Sequence, residues 1–565
     1  MLKFVRPICL FLFCLIISSN TSQAKSTYLA FSGLKANSNT VDIERQLSSA
    51  KISLHLSSGE LNDVAIQGQG YQEINLDGLV NSKAPSLAQL PFKAILINQH
   101  PQDIGIKLTS RKQIVYKDVR PAPFLEKPCR CNEKRATIFD QKAYEAGTGE
   151  SHFTLEYMGD FRGTPITRLL LYPATFADNK FKIAPDLEVK IVLKKRQTGV
   201  TGKRELKVGS IEDIYWQERP VTSESSKMLI IYNDSLQEGA EALGAFKASQ
   251  GFSIQSLSLS QLGMTASQVK EKLHSLYLDP TSKMDFVMIL GHEALFPTFY
   301  VNTQFDQQTP SDLPYFTMSG ADDFIPDVYY GRLAANSNDE ILSYIQKLRD
   351  HDSDRPALNS TPRFLAMASN EGLNPSDEQY IEMMVAPLRD GLHFRGRKLV
   401  QGQEESNPAQ VNQEFSNGLQ WVNYIGHGSG FAWPSLTQRY EASHIVEMNH
   451  QKIRPVVIDV ACQNGRFSYE RRMGERLINE SSNGRPLGAL AYYGGSVDIS
   501  WDPPAIMAIG ISQAVKESAN QKTSLGEILL KGQLYLLQKH SVKEDVIHNF
   551  SWYHLQGDPS LVMSF

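Results

Sequence analysis

The sequence predicts an α/β domain, a mostly parallel sheet flanked by helices, preceded by an all-β region. Three observations carry that prediction. Residues from about 25 to 225 hold alternating or β-branched runs broken by Gly, Asn, Asp and Pro. From about 226 onward, apolar runs of strand length alternate with helical stretches. Two of the later runs, WVNYIGHGSG and VVIDVACQNG, end abruptly in small turn-forming residues beside His427 and Cys462.

At the amino terminus, Lys3 and Arg6 precede the apolar run Ile8 to Ile17, and Ser22-Gln23-Ala24 follows with small residues where a signal peptidase reads. Residues 1–24 therefore read as a signal peptide for export to the periplasm or the extracellular space. The apolar run is about ten residues, too short for a bilayer core of ~30 Å. Phe13, before Cys14, is too bulky for a lipoprotein cleavage site, so no lipid anchor is expected. No later run approaches the ~18 apolar residues of a membrane helix, and no membrane span is expected.

In the β region, KISLHLSS, FKAILINQ, GIKLTS, QIVYKDV, SHFTLEYMG, ITRLLLYPA and LEVKIVLKK read as strands of a sandwich. The basic, Gly-containing stretch KKRQTGVTGKRELKVG then reads as a solvated linker, with Lys203-Arg204 open to a trypsin-like cut. The α/β region, 226–565, runs through strands at MLIIYND, FSIQSLSL, DFVMILGH, DVYYGRL and RFLAMAS, with helices such as SNDEILSYIQKLRDH between them. Ligands of such sheets bind outside the carboxyl ends of the strands, where His427 and Cys462 fall. LGALAYYGG adds another strand near the same edge.

Composition narrows the function classes. The 565 residues are 41% hydrophobic and 21% charged, with 57 Lys plus Arg against 61 Asp plus Glu and a net charge of −4. That balance calls for neither a nucleic acid nor an anionic membrane as partner. No HExxH-type metal spacing and no phosphate-binding glycine loop is present.

Of the five cysteines, Cys9 and Cys14 fall in the leader and Cys129 and Cys131 sit together in KPCRCNEKR, leaving Cys462 without a sequence partner. In an oxidising compartment an unpaired thiol is either buried and inert or kept for its reactivity. Its place at a strand end favours reactivity. For Cys129 and Cys131, a labile mutual disulfide, an intermolecular bridge and a metal contact all remain open.

A cysteine hydrolase needs a base near the sulfur and donors for the oxyanion. His427 is the candidate base, and the backbone amides of Gly428 and Cys462 are the candidate donors. Asp327, in FIPDVYYGRL, is the candidate for orienting the imidazole. The plainer readings are a tight turn at GHGS and a turn residue after Pro326.

The runs VNYIGHGS, VVIDVACQNG, PDVYYGRL and LQGDPSLV resemble the gingipain-type family of secreted cysteine peptidases, over roughly residues 226 to 565 and in the family's order. The resemblance implies a caspase-like catalytic domain. It also implies that the β region, with YMGDFRGTPITRLLLYPATF, is a pro-region removed on activation. Carried over by position, the nucleophile falls on Cys462, the histidine on His427 and its acidic contact on Asp327. Trp501, in DISWDPP, matches a tryptophan lining the primary specificity pocket, and Glu340, in SNDEIL, is the candidate acid for a basic P1 residue. Glu340 also sits where the helix dipole favours any acid.

The expected function is a monomeric, secreted cysteine endopeptidase made as a proenzyme, with a polypeptide substrate and no required cofactor. Structural calcium is implied as a family trait without assigned residues. Two alternatives stand beside it: a sortase-like transpeptidase using the same acyl-enzyme, and an inactive binding protein of this fold.

Overall fold

The computed structural model describes residues 26–563 except 32–37, 111–112, 126, 128, 132–138, 195–204, 211–212, 215–225, 359–361, 373–374, 450–451, 469 and 520. The leader read over 1–24 and the Lys203-Arg204 pair lie outside the described residues.

The N-terminal region is built from antiparallel sheets. One orders the strands Thr40–Gln46, Ser49–His55, Asp186–Leu193 and Ile104–Ser110. Another orders Phe153–Phe161, Thr164–Leu171, Pro91–Ile97 and Val208–Gly209. In Ser49–His55 every second side chain is buried, the period expected of a strand with one face on a core. Ala50 and Ile52 pack with Ile95, Ile97, Leu169 and Leu171 of the facing sheet, which makes this part a sandwich.

The second region is a ten-stranded sheet. In chain order its strands are β1 (Lys227–Tyr232), β2 (Ser253–Ser258), β3 (Phe286–Leu290), β4 (Tyr329–Leu333), β5 (Arg363–Ala368), β6 (Arg395–Val400), β7 (Trp421–Ile425), β8 (Val456–Val460), β9 (Ala491–Gly495) and β10 (Tyr553–Gln556). Across the sheet they lie in the order β2-β1-β3-β4-β10-β9-β8-β7-β5-β6. Every neighbouring pair is parallel except β9 and β10. That seam divides the sheet into two parallel halves of opposite direction. The inner strands β3, β7, β8 and β9 are buried along their whole length, as a sheet covered on both faces requires.

The seam decides where loops can meet. His427 follows β7 and Cys462 follows β8, adjacent strands of one half, so their loops emerge side by side. Strand β5 neighbours β7, and the loop leaving it, Ser369 to Ser376, opens at the same edge. Asp327 lies just before β4, four strand positions from β7, which at a strand spacing of ~4.8 Å is roughly 19 Å.

The two regions are joined by buried polar contacts. Arg168, fully buried in the strand Thr164–Leu171, donates to the carbonyls of Leu537 and His540 at 2.8 and 2.6 Å, satisfying the C-terminal end of the helix Leu525–Lys539. The backbone N–H of Arg162 donates to the Asp327 carboxylate. The third contact is the segment around Arg130, which enters the site below.

Candidate active site

Cys462 is fully buried. Its turn is held by backbone bonds from Gln463 N–H to Val497 O and from Gly465 N–H to Gly495 O, both 2.9 Å. Gln463 takes φ of 62°, an uncommon left-handed conformation that lets the chain leave β8 sharply. Beneath it, Asn464 Nδ2 donates at 3.1 Å to both Ala432 O and the Asp459 carboxylate. Asp459 also accepts from Trp433 Nε1 at 2.9 Å and from the Tyr492 hydroxyl. Burial pushes this carboxyl up to about 6, against those three donors.

Gly428 approaches the Cys462 turn so closely that an added Cβ would lie 2.1 Å from Cys462 O and 2.7 Å from Cys462 N. Only glycine fits there. Among the described residues, neither of the two amides proposed as oxyanion donors has an acceptor.

The Cys462 sulfur accepts from the Ile499 N–H at 3.3 Å. Burial pushes the thiol well above its ordinary range and the neighbouring Asp498 carboxylate adds to that, while the Ile499 bond works against them.

His427 is tied on both ring nitrogens: Nδ1 to the carbonyl of Arg130 at 2.8 Å and Nε2 to the Glu371 carboxylate at 3.1 Å. Its backbone N–H donates to Ser435 Oγ at 2.9 Å, which fixes the loop. The bond to Glu371 is the main cause that raises the imidazole pKa above its ordinary value, against burial, with the bond to Arg130 O adding to it. The same bond holds Glu371 below the usual carboxylate range.

Glu371 belongs to a compact turn after β5. Its N–H donates to Ser369 Oγ at 3.1 Å, and its carbonyl accepts from Asp377 N–H at 2.9 Å. Ser376 caps the helix Asp377–Ala386 in a capping box with Gln379. Asp377 thereby occupies the first helical position, where the dipole favours an acid, and accepts from Ser369 Oγ at 2.6 Å.

Asp377 receives an arginine from the other region. Arg130 and Asp377 both have fully buried side chains, joined by two bonds of 2.8 and 2.9 Å from the guanidinium fork. The rest of the fork donates to Trp501 O at 3.1 Å from Nε and 3.0 Å from Nη2, and lies 4.4 Å from the centre of the Trp501 ring. Trp501 also sets its ring edge-on to His427, with centroids 6.0 Å apart. The Arg130 N–H donates to Ile499 O at 3.0 Å, so Ile499 serves the sulfur with its N–H and the inserted chain with its carbonyl. Cys129 and Cys131, on either side of Arg130, are bonded to each other with Cα atoms 5.1 Å apart.

Among the residues expected from sequence, Cys462, His427, Gly428 and Trp501 meet in this one place. Asp327 and Glu340 do not join them. Asp327 accepts from the backbone of Arg162 and, at 3.0 Å, of Met318, on the far side of the sheet seam. Burial and the nearby Asp323 push its carboxyl up to about 7. Glu340 is paired with Arg471 and accepts from Asn336 N–H at 2.9 Å, so it is a helix-start acid already neutralised by a neighbour. The carboxylate on His427 is Glu371, and the acid that holds the inserted Arg130 is Asp377. Both stand in SNEGLNPSDEQY, and the signal that marked Asp377 was the Ser-x-x-Gln cap placing it at a helix start one short loop after an apolar strand.

Calcium takes six to eight oxygen ligands. Among the described residues, the one cluster of His, Cys, Asp or Glu ligand atoms lying within 4.8 Å of one another is Cys129, Cys131 and Asp498. Two of these are mutually bonded sulfurs. The set does not fit calcium, and no step below runs through a metal.

A caspase-like sheet that presents a cysteine and a histidine on adjacent strand ends defines a cysteine-type peptidase fold. The chain belongs to peptidase family C25, whose profile matches residues 221–564. Gingipain R2 of Porphyromonas gingivalis (strain ATCC BAA-308 / W83) is 22% identical over 352 residues, 60% of this chain and 46% of that protein. Lys-gingipain of P. gingivalis (strain ATCC 33277) is 21% identical over 406 residues, 67% of this chain and 23% of that protein. The chain thus spans less than half the length of these curated relatives. The crystal structure of the Arg specific cysteine proteinase gingipain R superposes with a TM-score of 0.52 at 20% identity, covering 61% of this chain and 79% of that one. The complex of the P. gingivalis RgpB pro- and mature domains gives the same TM-score, 0.52, over 60% of this chain and 80% of that one. At these identities the likeness is one of fold. Among the described residues no helix is long and apolar enough to cross a membrane.

Proposed function

We propose that the chain is the proenzyme of a secreted cysteine endopeptidase that cleaves after arginine, with the β region as its inhibitory pro-region. The observation that carries this reading is Arg130, an arginine from the β region fully buried against Asp377, with its carbonyl on His427. A buried Arg–carboxylate pair with every guanidinium nitrogen hydrogen-bonded is what a pocket for a basic P1 side chain requires. In this arrangement Arg130 stands in for the P1 residue of a substrate. Its N–H lies on Ile499 O as the N–H of a bound peptide would, but its carbonyl accepts from His427 rather than facing the amides of Gly428 and Cys462. Burial disfavours the thiolate and the base is occupied on both ring nitrogens, so the bound loop is not attacked.

Removal of the pro-region exposes both groups. His427 then takes the Cys462 proton and the thiolate attacks the scissile carbonyl. The amides of Gly428 and Cys462 receive the oxyanion, and His427 returns the proton to the leaving amine. Water attacks the thioester with His427 as base, releasing the acid and restoring the thiol. Glu371 orients the imidazole and stabilises its protonated form.

The test is hydrolysis of peptides differing only at P1 by the activated protein. Arg at P1 is expected to exceed Leu at least a hundredfold in kcat/KM, and Cys462→Ala is expected to lose both turnover and iodoacetamide labelling. Equal turnover in Cys462→Ala would sink the mechanism.

A further inference from the structure

Beside the Arg130 pocket lies a second buried acid that the chemistry above does not use. Asp502 is 4% exposed and opens the helix Asp502–Glu517, followed by Pro503 and Pro504. Its carboxylate accepts from the Tyr380 hydroxyl at 2.6 Å, and Tyr380 stands three residues after Asp377, on the same face of its helix. Two ammonium groups of the β region converge on it: Lys83 Nζ at 3.2 Å and Lys127 Nζ at 3.7 Å. Lys127 also donates to Pro375 O at 3.1 Å and lies 5.8 Å from the centre of the Trp501 ring. That ring packs on Arg130 as well.

The spacing of these cations has a meaning. With Arg130 as the P1 mimic, Lys127 is three residues upstream, the P4 position of the same inserted chain. We propose that Asp502, with Tyr380 and Pro375 O, forms a substrate subsite that selects a basic side chain at P4, deepening the reading above, on which this rests. Both lysines leave with the pro-region. The burial of Asp502 is that of the assembled chain; withdrawing the β region leaves this carboxylate on its Tyr380 bond without a cation, and the group that can supply one is the substrate. The two lysines hold Asp502 down at about 2 although burial works against them. The Tyr380 bond lowers it further.

Two acids then read two cations of one peptide, with the Trp501 ring between them. The preferred substrate is a polypeptide carrying Lys or Arg three residues before the cleaved Arg, a pattern of basic protein segments.

The experiment uses the full chain activated by limited proteolysis, with active sites titrated by an irreversible thiol label. The probes are X-Pro-Ala-Arg fluorogenic peptides in which X is Lys, Arg, norleucine or Glu. Lys and Arg at X are expected to exceed norleucine by about tenfold in kcat/KM, the scale of a hydrogen-bonded buried charge pair, with Glu below norleucine. In Asp502→Asn the Lys-to-norleucine ratio is expected to fall to below about twofold. A ratio near one in the unaltered protein overturns the subsite by itself, whether or not the variant folds. If that flat ratio accompanies weaker inhibition by the β region in Asp502→Asn, the acid is an anchor for the pro-region alone. Cleavage after Arg with no P4 preference defeats this inference and leaves the proposed function standing, whereas no cleavage after Arg at all defeats both.

Discussion

The β-rich and α/β regions meet with opposite chemistry. The β region delivers cations, Arg130, Lys83 and Lys127, each on a loop. The α/β region presents anions, Asp377 and Asp502, each at the first turn of a helix that starts beside the sheet edge. Loops can be withdrawn, but the first turn of a packed helix cannot. On the proposed function, the comparison places specificity in the region that remains and latency in a copy of the substrate lent by the region that leaves.

The sharpest way to break this comparison is to remove the anion. Asp377→Asn deprives a buried guanidinium of its partner, a loss of about 3–5 kcal/mol where nothing compensates. Cleavage after Arg in the activated protein is expected to fall by two orders of magnitude or more in kcat/KM, measured against titrated active sites. An unchanged rate would place the specificity acid elsewhere.

Removing the cation has the next largest effect and the opposite sign. Arg130→Ala empties the pocket and removes the guanidinium bonds to Asp377 and Trp501 O that anchor the loop whose carbonyl holds His427 Nδ1, so the uncut chain is expected to hydrolyse a P1-Arg peptide at least about tenfold faster than the unaltered uncut chain. A variant as silent as its parent would show that latency depends on the other interface contacts, such as Arg168 at the helix end.

A smaller effect is expected from opening the Cys129–Cys131 bond, which joins the residues on either side of Arg130. The double variant Cys129→Ser, Cys131→Ser keeps every contact of Arg130 but frees the loop, and the order it must recover on docking costs entropy. The uncut chain is expected to leak activity several-fold above its parent, with a faster hydrogen exchange at Arg130.

The smallest effect is that of pH. With His427 bonded through both ring nitrogens to acceptors, the docked state favours the imidazolium, whose pKa is raised above its ordinary 6.5. Only the part of that rise made by the Arg130 carbonyl belongs to docking; it is full below about 6.5 and is lost as pH rises through the raised value. Glu371 is held below its ordinary 4.5 chiefly by His427 of its own region, a bond that docking neither makes nor breaks. Latency of the uncut chain is thus expected to weaken toward alkaline pH, read as the rate of thiol labelling at Cys462 relative to a model thiol.

Much of this arrangement was legible in the amino-acid order. The period-two runs before Gly209 appear as antiparallel strands, and the apolar runs WVNYI and VVIDV appear as fully buried strands whose ends carry His427 and Cys462. The glycine after His427 could be seen, and its role in approaching Cys462 follows from what a Cβ would meet. Asp327 and Glu340 were misplaced because sheet order is not written in chain order. A reversal at β9 and β10 puts the strand after Asp327 four positions from the strand before His427. Strand β5, which precedes Glu371 and Asp377, is the neighbour that matters.

By itself, the sequence determined the region types, the strands that end in the thiol and the imidazole, and the family, because hydrophobic period and turn residues are local properties of the chain. Only the tertiary structure decided which carboxylates join them and what fills their pocket. Those choices depend on contacts between residues hundreds apart, Arg130 with Asp377 and Lys127 with Asp502. A buried charge selects its partner by where the fold brings an opposite charge out of water.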